Sequence, residues 1–204
     1  MPANLVLDTT IHLDVIVDAL RGDGWLVLPK FLPAAYCEAL LADCQSRRAE
    51  FALAAVGRDR QQLNDQRRDA TLWLSDDVTV QREYLTAMDA LRNGINRRLF
   101  LGLRDYEAHY AHYAPGAFYR RHRDAFAYTQ TTASDTSLPR RVLTSVIYLN
   151  TGAGGELAIW NDEREIIRIS PVAGAAVFFL SAEFPHEVLP AQSDRYSISG
   201  WFRA

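Results

Sequence analysis

Residues 113–124 read Tyr-Ala-Pro-Gly-Ala-Phe-Tyr-Arg-Arg-His-Arg-Asp, and the end of this stretch sets His122 and Asp124 two positions apart in a segment that reads as a strand. Side chains two apart on a strand leave the same face. An imidazole and a carboxylate then project side by side, which offers two of the three ligands of a 2-His-1-carboxylate triad for ferrous iron. The third would be a distant histidine. Alone, the pair is weak evidence and reads more readily as the solvated rim of a barrel, so its meaning depends on the rest of the chain.

The 204 residues fit one domain spanning 1–204, long enough to bury about 70% of the unfolded surface without staples. A hydrophobic share of 49% beside 23% charged residues excludes a disordered or repetitive chain. The net charge of −3 gives no overall basic field, so nucleic acid is not an expected partner. The clustered Arg58, Arg60, Arg67 and Arg68 read as well as a solvated loop as they do a basic patch.

The first residues carry neither a basic segment nor a long apolar one. The longest apolar run, residues 172–180, is interrupted by Gly174 and too short to span a bilayer. The expectation is a soluble, cytoplasmic protein, with no membrane contact and with a monomer as the simplest state. Cys37 and Cys44 lie seven apart on an expected helix, a rise of about 10 Å and too far for a disulfide, so they read as buried free thiols. Lys30 is the only lysine. A buried cation for a substrate carboxylate in the second half must therefore be an arginine, whose planar fork suits that partner.

Leu13, Ile16, Val17 and Leu20 follow helical spacing and are ended by Gly22 and Gly24. Residues 25–28 read as a short strand. Pro33 opens a second helix with Cys37, Leu40, Leu41 and Cys44 on one face, and Val80, Tyr84, Met88, Leu91, Ile95 and Leu99 form the buried stripe of a third. Between these helices, residues 57–70 lack periodicity and read as a long exposed loop, ahead of a short strand at 71–74. From Arg104 the character changes to short strands, expected at 104–113, 118–124, 141–149, 155–160, 164–170, 175–180, 185–189 and 195–203. Helical support over 1–103 and strands over 104–204 imply an α+β fold, with eight strands suiting a double-stranded β-helix, the jelly-roll or cupin-like barrel. In the last strand Arg195, Ser197, Ser199 and Trp201 share one face, and Tyr196, Ile198 and Phe202 the other. If the apolar face packs on the helices, the polar one lines the barrel and needs a ligand, water or metal.

His186 lies in Phe-Pro-His-Glu-Val-Leu-Pro at the start of a late strand, and Arg195 follows one turn later on the expected antiparallel neighbour. His122, Asp124, His186 and Arg195, in this order and spacing, resemble the signature of the iron(II)- and 2-oxoglutarate-dependent dioxygenases. The finer resemblance is to the prolyl 4-hydroxylase branch, in particular the hypoxia-sensing prolyl hydroxylases and their bacterial relatives, over about residues 60–204. Its other motifs are Tyr148-Leu149-Asn150, Gly154-Gly155-x-Leu157, His186-Glu187-Val188-x-Pro190 running on to Arg195 and Trp201, and Arg67-x-Asp69 followed by Trp73-Leu74.

The resemblance implies Fe(II) held by His122, Asp124 and His186, with 2-oxoglutarate and O2 as cosubstrates and room for ascorbate as a reductant. Three protein ligands on one face of an octahedral ion leave two positions for the 2-oxo acid and one for dioxygen. By resemblance, Arg195 holds the distal carboxylate and Tyr148 donates its phenol to it. Succinate and carbon dioxide leave while a substrate carbon is hydroxylated. Tyr113 resembles the tyrosine at the mouth of the pocket, Trp201 the tryptophan lining it, Arg141 an arginine at the substrate entrance and Asp69 its partner on the loop. Arg141 and Asp69 are expected to pair. His109 and His112, three apart on a strand, point to opposite faces and cannot hold one ion; with His12 they read as structural or exposed.

Two departures concern substrate binding. The segment from Tyr113 to His122 is one residue shorter than in the animal oxygen sensors, and no helix follows the last strand in this sequence. The leading expectation is hydroxylation of a prolyl residue in a protein or peptide folded under the 57–70 loop. Hydroxylation of a free amino acid or small metabolite is the alternative, and a non-catalytic sensor binding metal or 2-oxoglutarate is the reading from outside enzymology.

Overall fold

The computed structural model describes residues 7–53, 65–125 and 140–204. Three helices, α1 (Leu13–Gly22), α2 (Ala34–Ser46) and α3 (Thr79–Leu99), precede most of the strands. Their stripes are buried as the spacing requires: Leu13, Ile16, Val17 and Leu20 on α1, Cys37, Leu40 and Cys44 on α2, and Tyr84, Met88, Leu91 and Ile95 on α3. α1 reaches α3 closely because residue 94 is glycine; a Cβ there would lie 2.7 Å from Leu13.

Eleven strands are described: β1 (Trp25–Leu28), β2 (Ala52–Leu53), β3 (Ala70–Trp73), β4 (Asp105–Tyr113), β5 (Tyr119–His122), β6 (Arg141–Tyr148), β7 (Leu157–Trp160), β8 (Glu165–Ile169), β9 (Ala176–Leu180), β10 (His186–Val188) and β11 (Arg195–Arg203). They form a seven-stranded sheet, ordered β1-β9-β6-β11-β4-β3-β2, and a four-stranded sheet, ordered β5-β10-β7-β8. All pairings are antiparallel. Two such facing sheets are the double-stranded β-helix that the strand spacing predicted. β1 and β3 come from the helical half yet extend the larger sheet, so strands from both halves share one layer.

Alternation along the central strands divides the side chains. On β6, Leu143 and Ile147 join the cluster under the helices while Val146 and Tyr148 point into the barrel; on β9, Phe178 and Phe179 divide the same way. The last strand behaves as expected: Tyr196, Ile198 and Phe202 pack toward the helices, and Arg195, Ser199 and Trp201 line the barrel cavity. A polar cluster on the helix side is paired. Asp43 accepts from Tyr110 and Gln81 at 2.8 and 2.7 Å, tying α2 to β4 and α3.

Two expectations need correction. The strand expected at 118–124 ends at His122, so Asp124 follows it in a bend. The strand pair β2–β3, which the loop reading did not foresee at its first strand, closes the edge of the larger sheet. Of the loop expected at 57–70, residues 57–64 lie outside the described residues. Arg67 is joined to Tyr119 by a β-bridge, and Arg68 donates its backbone N–H to Phe118 at 2.9 Å. That contact links the approach to β3 with the edge of the smaller sheet. Among the described residues no helix is long and apolar enough to cross a membrane.

Candidate active site

A cavity of about 1090 Å³ opens between the sheets, large enough for a cosubstrate and part of a second molecule. His122, Asp124 and His186 meet in its wall. β10 lies antiparallel to β5 with His186 directly opposite His122, which brings the two imidazole centroids to 4.3 Å. Asp124 reaches the same point from the bend after β5. Its Oδ1 lies 3.5 Å from His122 Nε2 and its Oδ2 3.5 Å from His186 Nε2, and among the described residues this is the one group of three whose ligand atoms gather within 4.8 Å.

The surroundings fix which atoms face inward. His122 Nδ1 donates to the Arg120 carbonyl at 2.8 Å and His186 Nδ1 to the Phe184 carbonyl at 3.1 Å. A carbonyl only accepts, so each Nδ1 carries the proton and each Nε2 presents a lone pair to the centre. Burial pushes the His186 imidazole down to about 4, which keeps it neutral and ligating. Burial alone would raise the Asp124 carboxyl, but the charge that either imidazole carries once protonated pulls it below the usual range. Thr144 on β6 donates to Asp124 Oδ2 at 2.9 Å, and the Ser181 hydroxyl in turn donates to Thr144 at 2.8 Å. Sequence reading passed over Thr144. Its signal was parity: Thr144, Val146 and Tyr148 share one face of the strand.

Arg195 is 2% exposed and among the largest side chains fully buried. Its guanidinium lies between the rings of Tyr113 and Tyr148, at 4.8 and 5.0 Å from their centroids, and donates to Ser197 at 3.0 Å. Space for it depends on Gly155, whose φ of +67° suits glycine; a Cβ there would lie 2.8 Å from Arg195 Cδ. The Arg195 Nε and the Tyr148 hydroxyl are buried without a hydrogen-bond partner among the described residues. Burial raises the Tyr148 phenol, against the pull of Arg195, so it stays protonated and able to donate. Buried donors left open beside a guanidinium fit an anionic ligand. Three ligand atoms on one side, with this anchor in the same barrel, fit a metal-chelating 2-oxo acid with a second carboxylate.

At the rim the expected partners are exchanged. Asp69 takes both oxygens to Arg67, at 2.7 and 2.6 Å, and Arg141 goes to Glu107 at 3.1 Å while its guanidinium stacks on Trp201 at 3.6 Å. Proximity decides this: Arg67 is two residues from Asp69 and its fork closes bidentately. Arg67 also lies over Tyr119 at 4.2 Å, and Tyr119 stacks on His122 with centroids 3.6 Å apart. His109 and His112 take opposite faces as spacing required. His112 packs on the helix side, whereas His109 is buried in the cavity wall between Trp73 and Trp201. The sequence reading left His109 as structural or exposed.

A family model described as the 2OG-Fe(II) oxygenase superfamily matches residues 108–203. Among solved structures, a prolyl-4-hydroxylase from Pseudomonas putida is 42% identical, with a TM-score of 0.83 and coverage of 95% of this chain and 100% of that one. A Trichoplax adhaerens prolyl hydroxylase, solved with a peptide fragment of the hypoxia inducible factor oxygen degradation domain, is 23% identical at a TM-score of 0.77, covering 96% and 90%. A viral collagen prolyl hydroxylase from Paramecium Bursaria Chlorella virus-1 is 18% identical at 0.63, covering 90% and 98%. These last two share the fold. No curated protein matches the sequence.

With that cavity and these likenesses together, the chain belongs to the 2OG-Fe(II) oxygenase superfamily, and it is an oxidoreductase that uses Fe(II), 2-oxoglutarate and O2. The branch is that of the prolyl 4-hydroxylases, as its motifs resembled.

Proposed function

We propose that the enzyme hydroxylates a prolyl residue at C4 within a protein or peptide substrate. The observation that carries this is the 42% identity to the Pseudomonas putida prolyl-4-hydroxylase across the whole of that chain. The cavity exceeds what a cosubstrate fills and leaves room for the prolyl part of a substrate.

In this reading His122, Asp124 and His186 hold the iron through Nε2, a carboxylate oxygen and Nε2. The bound metal supplies oxidative decarboxylation of 2-oxoglutarate and, from it, the power to hydroxylate a C–H bond. Arg195 binds the distal carboxylate of 2-oxoglutarate, and Tyr148 donates its hydroxyl to the same group. Tyr113 covers the anchor with its ring. Val146, Leu157 and Val188 form apolar walls that limit water around the cosubstrate. At the rim, Trp201 and Arg141 line the way in, with Asp69 holding Arg67 across from them. Cys37 and Cys44 are both free and buried, in keeping with a reducing compartment such as the cytoplasm.

The test is to incubate the enzyme with Fe(II), 2-oxoglutarate and a panel of proline-containing peptides, reading peptide mass and succinate together. One oxygen atom added on proline, in step with succinate, is the expected result. Turnover with free proline or another small metabolite, and with none of the peptides, would replace this proposal by the small-molecule reading.

A further inference from the structure

We infer that Asn150, with the His112–Asp194 pair, forms a clamp outside the cavity that sets the position of Arg195 and, through it, the affinity for 2-oxoglutarate. The inference rests on the assignment of Arg195 to the distal carboxylate.

β11 starts at Arg195. On the β4 side its register begins there, opposite Tyr113, but on the β6 side the ladder begins only at Ser197, opposite Tyr148, because β6 has ended. Backbone groups around residue 195 on that side need other partners. Leu149 donates its N–H to the Tyr196 carbonyl at 2.9 Å. Asn150 supplies the rest with its side chain: Oδ1 accepts the Tyr196 N–H at 2.7 Å, and Nδ2 donates to the Asp194 carbonyl at 2.7 Å. A carboxamide offers the donor and acceptor of a peptide group, so one side chain extends the sheet and grips the residues on either side of Arg195.

The other flank is held by His112. Its Nε2 lies 2.6 Å from Asp194 Oδ1, and its ring stacks on Tyr196 at 4.5 Å and 12°. His112 stands opposite Tyr196 in the β4–β11 register, which makes this stack a product of the ladder. The imidazole is buried and the Asp194 carboxylate half-exposed, so the carboxylate is the group drawn in. Inside the barrel Arg195 has one hydrogen bond, to Ser197, among the described residues, and its Nε has none. The guanidinium is kept by Ser197 and the Tyr113 and Tyr148 rings, and where it meets them is set by its backbone. None of the clamp residues lines the cavity, so losing them displaces the anchor without touching the proposed ligands.

The test is an anaerobic titration of the iron-loaded protein with 2-oxoglutarate, following the visible metal-to-ligand charge-transfer band. A parallel titration uses pyruvate, the same 2-oxo acid without a distal carboxylate. Asn150→Ala is expected to weaken 2-oxoglutarate roughly tenfold, and His112→Phe, which keeps the stack and loses the hydrogen bond, roughly threefold. The saturated band and the pyruvate titration should match wild type. In an Arg195→Ala background, Asn150→Ala should add nothing. Equal weakening of pyruvate, or additive losses in the double variant, would overturn the clamp. Arg195→Ala binding 2-oxoglutarate like wild type would instead overturn the assignment beneath it. Should Asn150→Ala fail to fold, His112→Phe carries the same comparison.

Discussion

At the floor of the cavity, His122 and His186 stand at the ends of paired strands and Asp124 follows in a bend, and each is oriented by a backbone carbonyl or a hydroxyl. At the rim the side chains come from the start of β6 and the approach to β3, and they are held by ion pairs and stacking. Arg67–Asp69 and Arg141–Glu107 are carboxylate–guanidinium pairs of the second kind. His122, His186 and Asp124 belong to the first, anchored through Arg120, Phe184 and Thr144. The lesson is a division of labour. Strand pairing brings the floor together, while the rim is held by ion pairs between side chains.

The largest effect that would sharpen this contrast lies at the rim. Asp69 is fully buried and its partner nearly so, so Asp69→Ala leaves a guanidinium without its carboxylate, and about 3 kcal/mol of stability should go in chemical denaturation. Iron and 2-oxoglutarate binding should survive in the folded fraction. If that variant lost the cosubstrate site as well, floor and rim would not be separable.

Next in size is Thr144→Val at the floor. It removes the hydroxyl that orients Asp124 while keeping shape, and iron affinity should fall roughly 10–100-fold in a metal-competition assay. An unchanged affinity would mean that Asp124 is placed by its bend alone.

His109 gives a subtler test, in pH. Burial pushes its imidazole down to about 4, with Asp69 opposing and Arg67 and Arg141 reinforcing. The unfolded chain takes up this proton first as pH falls, so its stability contribution is complete above about 6.5 and is lost progressively toward about 4. The difference between wild type and His109→Gln in urea midpoints should therefore narrow or reverse across that window. A pH-independent difference would show that His109 is not held neutral by its wall.

Arg141→Ala should do least to the fold. Its ion pair with Glu107 is partly exposed and is worth under about 1 kcal/mol, although the stack on Trp201 is lost too. Cosubstrate binding should be unchanged and substrate KM raised.

Much of this was legible in the chain. Every strand of the second half was placed by turn residues and alternation, and parity put Arg195 on the cavity face of the last strand; His186 joined His122 only through the resemblance to the dioxygenase signature. The weaker readings have separate physical causes. Asp124 reaches the centre after its strand has ended, drawn there by Thr144 on a strand distant in sequence. The Asp69–Arg141 pairing failed because a nearer guanidinium, Arg67, competes for the same carboxylate. His109 was dismissed on spacing relative to His112, an argument that excludes a shared ion but says nothing of which face lines the cavity. Contacts between strands, which sequence does not display, decide the first and the third; the second is local, between residues two apart.

The most direct measurement is an anaerobic titration of the purified protein with ferrous iron and then 2-oxoglutarate, with Asp124→Ala beside it. A visible charge-transfer band is expected in wild type, saturating with one equivalent of each and absent in Asp124→Ala. Iron binding without a band in wild type, or a normal band in Asp124→Ala, would contradict the site described for this oxygenase.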